Sequence, residues 1–196
     1  MSNQEAEWLI DVRQGNETAF ASLVEKYQRP VYNLCYRMLG DSIEAEDAAQ
    51  ESFWKAYQAI HRYDPSRSFA TWLLSITAHH CIDLQRKRKL PSFSMELVPE
   101  DSIPGSAPNP EKVAAQTEQE ARIQKVLEQL KPQDRAAIIL RYWHELSDEE
   151  IGNMLSLSVS AVKSRLFRAR KKLAEIWLEE EQSINSERKH HESPAF

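Results

Sequence analysis

The chain is expected to fold as an all-α protein of two small helical domains joined by a flexible linker. Three observations point there. Apolar residues recur at steps of three and four almost throughout, and strand-like alternation is missing. Glycine is scarce, at four in 196 residues. Five of the nine prolines (Pro91, Pro99, Pro104, Pro108 and Pro110) crowd into one stretch with Gly105 and several serines. That composition reads as an extended linker over residues 90–110. It separates a domain at 1–89 from a second at 111–180, and a polar tail, expected to fray, fills 181–196.

In the first domain the periodicity predicts helices at about 3–14, 17–27, 30–39, 42–60 and 69–89. Gly15-Asn16 separates the first two. Pro30 suits the first turn of the third, and Gly40 follows its end. Asp41, with Glu44 three residues on, is a cap for the fourth. Tyr63-Asp64-Pro65 breaks the chain before the fifth. In the second domain a helix at 111–130 ends before Pro132, and others follow at 132–143, 147–155 and 158–180. Ser147 with Glu150 forms a capping box.

Composition narrows the function classes. Hydrophobic residues make up 41%, enough for a core. Mean hydropathy is −0.60, and no apolar run approaches the ~18 residues of a membrane span. The first residues, MSNQEAEWLIDVRQ, lack the basic and apolar regions of a signal peptide, so a cytoplasmic protein is expected. Cys35 and Cys81 sit far apart in helical patterns and read as buried small hydrophobes. His79, His80, Cys81 and Asp83 are too consecutive to converge on a metal from one helix, so neither metal nor cofactor is expected. An enzyme built as a dimetal bundle needs paired Glu-x-x-His spacings. The chain's instance, Glu187 to His190, lies alone in the polar tail.

The net charge of −5 conceals a segregated distribution. Residues 85–89 read QRKRK, and six cations and no acid lie between Lys163 and Lys172. The second cluster belongs to LSDEEIGNMLSLSVSAVKSRLFRARKKL, a helix-turn-helix pattern. Ile151, Met154 and Leu155 give the short first helix an apolar face. Val159, Val162, Leu166, Ala169, Leu173 and Ile176 stripe the long second one. The opposite face carries Ser160, Lys163, Ser164, Phe167, Arg168 and Lys171. Lys163 and Ser164 are placed to read base edges, and Phe167 to pack on a thymine methyl. Arg165, Arg168 and Arg170 are candidates for phosphates. Ser156 occupies the turn, where a left-handed backbone costs on the order of 1 kcal/mol.

Two surfaces are expected on the first domain. The 42–60 helix has a core stripe of Ala45, Ala49, Phe53, Ala56 and Ile60 and an acidic face. Glu44, Glu46 and Asp47 suit a first helical turn, whereas Gln50 and Glu51 lie further in and point to a protein-binding face. The 69–89 helix buries Phe69, Trp72, Leu73, Ile76, His80 and Leu84. Thr71, Ser75, His79 and Arg86 share another face that runs into QRKRK and follows His61 and Tyr63. Such a face suits melted DNA.

Three segments, in order, resemble the extracytoplasmic-function sigma factors of bacterial RNA polymerase, within the sigma-70 family. AFASLVEKYQRPVYNLCYRMLGDSIEAEDAAQESFWKAY is similar to the first subregions of sigma region 2, and FATWLLSITAHHCIDLQRKRK to its melting and −10 helix. The helix-turn-helix is similar to sigma region 4. The resemblance implies that Asp47, Gln50, Glu51 and Phe53 dock the β′ clamp helices of core polymerase. It implies that the 61–68 loop, with His61, Tyr63 and Ser68, captures a flipped −10 base together with Thr71, Trp72, Ser75, His79 and Arg86. His79 stands where many members carry asparagine. Ser160, Lys163, Ser164, Arg165, Phe167, Arg168 and Lys171 would read or hold the −35 element. Implied partners are core polymerase (including its β flap), promoter DNA and an anti-sigma factor, with no catalysis and no membrane insertion. The competing reading is a helix-turn-helix regulator with an N-terminal sensor domain, independent of polymerase.

Overall fold

The computed structural model describes residues 3–89 and 110–191. The proline-rich stretch expected as linker lies outside them except for Pro110, as do residues 192–196. Among the described residues there are eight α-helices and no strand. They are α1 (Asn3–Arg13), α2 (Glu17–Leu39), α3 (Ser42–Ala59), α4 (Phe69–Lys89), α5 (Pro110–Glu128), α6 (Pro132–Tyr142), α7 (Asp148–Leu155) and α8 (Val159–His191).

Most boundaries follow the local chemistry. The Asn16 side chain accepts from the Ala19 amide, and Asp41 from the Glu44 amide, each capping the helix that follows. Gly40 ends α2 at φ 86°, a left-handed conformation open to glycine, and donates its N–H to the Tyr36 carbonyl. Two expectations are corrected. The helices expected at 17–27 and 30–39 are one, α2, which passes through Pro30. Proline costs a backbone hydrogen bond there. The buried stripe of Ala19, Leu23, Val31, Leu34, Cys35 and Met38 continues across it, and packing holds the helix together. The tail also departs from expectation: α8 continues to His191 instead of ending near 180.

In the N-terminal half, α2, α3 and α4 pack mutually, with α1 against α2. Small buried residues (Ala45, Ala48, Ala49, Ala56) let α3 approach α2 and α4 closely. Cys35 and Cys81 meet across α2 and α4 with sulfurs 3.7 Å apart as buried free thiols, and the hydrogen bond from Cys81, with burial, pushes the Cys35 thiol up. In the C-terminal half, α6 and α7 cradle α8 through Ile138, Ile139, Ile151, Met154, Val162 and Leu166. The two halves share one continuous apolar cluster, with α6 against α2 and α4, and α7 against α4.

The join is centred on the C-terminus of α2, where the last carbonyls lack helical partners. Met38 O accepts from Gln85 Nε2 of α4 and, at 2.5 Å, from Arg135 Nη1 of α6. Arg135 Nη2 donates to Glu128 O at 2.5 Å, and the residue is buried. Gln124 reaches Arg37 O at 3.4 Å, and Arg88 reaches Leu39 O at 3.5 Å. The Arg37 guanidinium lies 4.3 Å over the Trp143 ring. Burial near that cation lowers the His144 pKa to about 4, which keeps the imidazole neutral there.

The turn between α7 and α8 folds back over Gly152 of α7, whose added Cβ would stand 2.8 Å from the Leu157 backbone oxygen. Gly152→Ala is therefore expected to destabilise the C-terminal half by roughly 1–3 kcal/mol, the cost of overpacking against backbone. Urea denaturation would measure it, and an unchanged midpoint would contradict the close approach.

Candidate nucleic-acid interface

The helix-turn-helix is built as the sequence reading requires. Ser147 Oγ accepts from the Glu150 amide at 3.1 Å, and the Glu150 carboxylate accepts from the Ser147 amide at 2.8 Å. Ser156 takes the left-handed conformation at φ 55°, ψ 47°. Ser158 Oγ accepts from the Ala161 amide at 3.2 Å and starts α8. Val162, Leu166, Ala169 and Ile176 are buried, which fixes the rotation of α8. That rotation exposes Ser160, Lys163, Ser164, Phe167, Arg168 and Lys171 together. Phe167 is 68% exposed, with an apolar ring held out in water among cations.

Four members of this set are tied to other groups, the first being Ser160, whose Oγ lies 3.1 Å from Ser158 Oγ. Ser164 Oγ donates to Ser160 O at 2.9 Å, which leaves its lone pairs outward. Lys171 lies 4.0 Å from Glu175. Arg168 stands 3.6 Å from Asp134 yet keeps a mostly exposed side chain. Arg165 is a correction: it turns inward and pairs with Asp134 at 2.8 Å beneath the reading face. Its position lies between the buried Val162 and Ala169 stripe and the outer face, and the buried Asp134 carboxylate decides its direction. Arg170 is likewise engaged, donating Nε to the Tyr142 hydroxyl at 2.9 Å.

The 61–68 loop hangs on an aromatic cluster. Tyr63 meets Phe69 edge-on at 5.5 Å and Trp72 at 5.2 Å, while Tyr27 packs on Phe69 at 5.5 Å. The Tyr63 hydroxyl donates to Arg67 O at 2.5 Å, and Arg13 donates to Tyr63 O. Tyr63 is 2% exposed, so it is a core anchor and not a base contact. Burial pushes its hydroxyl pKa up. His61, Ser68, His79 and Arg86 are exposed, and Thr71, Trp72 and Ser75 are half-buried. Ser68, Trp72, Ser75 and His79 fall on one face of α4 and its approach. His79 Nδ1 lies 2.9 Å from Ser75 O, which leaves Nε2 for solvent or a ligand. Across from this face stands α7, and a groove of about 310 Å³ separates Thr71 and Trp72 from Asn153 and Met154.

On α3, Asp47, Gln50 and Glu51 are exposed as expected. Phe53 is the exception: it is buried in the core, on the same stripe as Ala45, Ala49 and Ala56. The sequence reading missed two residues. Ile43 is 64% and Trp54 54% exposed, and with Asp47 and Gln50 they form one stripe at steps of four and three. That spacing was visible as a second apolar periodicity offset from the core stripe. Among the described residues no three His, Cys, Asp or Glu side chains could hold a metal ion, and no helix is long and apolar enough to cross a membrane.

Comparison with known proteins matches the same two units. The family model Sigma-70 region 2 covers residues 23–90, and Sigma-70, region 4 covers residues 120–173. A relative in Bacillus subtilis (strain 168), ECF RNA polymerase sigma factor SigW, is 38% identical over 170 residues, spanning 83% of this chain and 90% of that one. Among solved structures, CnrH in complex with the cytosolic domain of CnrY is 26% identical with a TM-score of 0.66, covering 89% of this chain and 97% of the other. The sigma factor RpoE from Bartonella quintana, solved with the anti-sigma factor NepR, shares the fold at 21% identity and a TM-score of 0.61, over 81% and 96% of the two chains.

The inward ion pair yields one expectation. Asp134→Ala strands the Arg165 charge at a largely buried site and is expected to cost roughly 3 kcal/mol of stability. Thermal or urea melts would report it. A shift no larger than that of an exposed ion pair would return Arg165 to the list of groups free to meet a phosphate.

Proposed function

This chain belongs to the extracytoplasmic-function sigma factors of the sigma-70 family, and we propose that it divides that work among three faces: α3 for polymerase, α4 with its preceding loop for the −10 element, and α8 for the −35 element. As a sigma factor it binds core RNA polymerase and directs it to specific promoters. It acts with the cytoplasmic polymerase and contributes binding and not catalysis. The regulator independent of polymerase is not favoured, because both sigma regions match in order along one chain.

The observation that carries the assignment is the coexistence of two faces of opposite character. The α3 stripe presents carboxylates, Gln50, and the exposed Ile43 and Trp54, a mixture suited to a protein partner. The α8 face presents Lys163, Arg168 and Lys171 around Ser164 and Phe167, suited to duplex DNA. Neither needs high affinity of its own. Once polymerase holds one half, the second binding event is intramolecular and gains effective concentration. On α4, Trp72 offers an aromatic face while Thr71, Ser75 and His79 offer hydrogen bonds, which together offset the few kcal/mol of unstacking a flipped base costs. An anti-sigma factor is the expected antagonist, as in the solved complexes of RpoE with NepR.

Transcription reconstituted with purified core polymerase tests the assignment. Promoter-dependent transcripts are expected with the chain and none without it. Lys163→Ala should weaken promoters sensitive to their −35 sequence by roughly 1–3 kcal/mol; an equal loss on every sequence would reduce Lys163 to a phosphate contact. Glu51→Arg and Trp54→Ala should each lower affinity for core polymerase while leaving the melting temperature unchanged. Unchanged affinity in both would remove the α3 stripe from the polymerase interface.

A further inference from the structure

The 61–68 loop is tied mostly to itself. Arg67 donates its amide to Asp64 O at 3.0 Å, Ser66 donates its amide to Asp64 Oδ1 at 3.0 Å, and the Tyr63 hydroxyl donates to Arg67 O. Such short-range bonds give the loop a shape without fixing its place on the protein. Among the described residues, one hydrogen bond reaches its backbone from a distant part of the chain. Arg13, fifty positions upstream at the end of α1, donates to Tyr63 O. The same guanidinium lies 6.0 Å from the centre of the Tyr63 ring.

The other end of α1 reaches the same aromatic cluster by a second route. Glu5 is 4% exposed and accepts from Lys26 and, at 2.9 Å, from the Tyr27 hydroxyl. The Tyr27 ring packs on Phe69, which in turn meets Tyr63 and, at 5.6 Å, Trp72. Between the two anchors Leu9 and Val12 are buried and seat α1 against α2 and the single 3-10 turn Ile60–Arg62. A helix of eleven residues is marginal alone, so this packing is what keeps it folded. The Sigma-70 region 2 match begins at residue 23, after α1 has ended.

We propose that α1 is a positioning element for −10 recognition. Arg13 acts through the Tyr63 carbonyl, and Glu5 acts through Tyr27 and Phe69. Together they hold the loop and Trp72 where a flipped base is received. The inference rests on the −10 reading of α4 and its loop given above. Neither residue touches DNA in this role. A receiving surface that is already ordered spends no binding energy on being ordered, and that energy goes to discriminating the base.

Holoenzyme assembled from core polymerase and the full chain tests this with two fluorescent single-stranded oligonucleotides. One carries a −10 sequence mapped by reconstituted transcription, and the other carries the same bases scrambled. Arg13→Gln removes the cation and the guanidinium fork from a half-buried position. It is expected to lower the preference for the −10 strand about tenfold, as for one lost hydrogen bond from a charged donor. Affinity for core polymerase, and the salt dependence of binding to the scrambled strand, should stay at their wild-type values. Tyr27→Phe keeps the ring on Phe69 and removes the hydroxyl from Glu5; about a threefold loss of preference is expected. Wild-type preference in both variants overturns the proposal. So does an equal loss on both strands with a shallower salt dependence, which would make Arg13 a phosphate contact. If Arg13→Gln does not fold, Tyr27→Phe decides alone, and wild-type preference there overturns the proposal. A wild-type holoenzyme that does not distinguish the two strands overturns the −10 reading instead.

Discussion

The carbonyls at the end of α2 are the constraint around which this protein is organised. A helix C-terminus carries partial negative charge and up to four acceptors without helical donors. Here those acceptors sit inside the molecule, so each needs a partner. Gly40 supplies one through its left-handed turn, and Gln85 and Arg88 supply others from α4. The rest come from across the molecule, from Gln124 and Arg135. Burying a guanidinium is costly unless its donors are used; Arg135 places Nη1 on the Met38 carbonyl and Nη2 on the Glu128 carbonyl, while its Nε has no partner. That geometry is available only when the C-terminal half is docked, so one arginine couples the folding of α2's end to the position of the helix-turn-helix.

Other features take their meaning from that docking. With α6 on α2, α7 falls against α4, and the two walls of the groove between α4 and α7 belong to different halves of the chain. Meanwhile α8 is turned by its own buried stripe and by the Asp134–Arg165 pair, which directs the remaining cations outward around Phe167. The α3 stripe of Ile43, Asp47, Gln50 and Trp54 stays outside both events.

Local rules located most elements and misjudged a few side chains for identifiable reasons. Caps at Asn16, Asp41 and Ser147 and the left-handed Gly40 and Ser156 involve groups within four residues, so sequence alone carries them. Pro30 carried a break signal that packing on both sides outweighed. Phe53 matched the core stripe of α3 and was also placed on its binding face; the core won, and Trp54 beside it took the exposed position. Tyr63 looked like a base platform, yet Phe69 and Trp72 close over it. Arg165 sat in a run of cations, and its direction was set by Asp134, thirty-one positions away in sequence.

The sequence by itself determined the all-α class, the helix-turn-helix with its turn and capping box, and the resemblance to the sigma-70 family. These follow from periodicity and from interactions a few residues long, which the order of the chain encodes directly. Only the tertiary structure decided which side chains of each surface face outward, and that the two halves are joined. Arg135 among Ala136, Ala137 and Ile138 has no partner within its own helix face, and Ser75 has none that points to Met154. Their partners are carbonyls, which every residue possesses, so no side-chain pattern could single them out before the helices were packed.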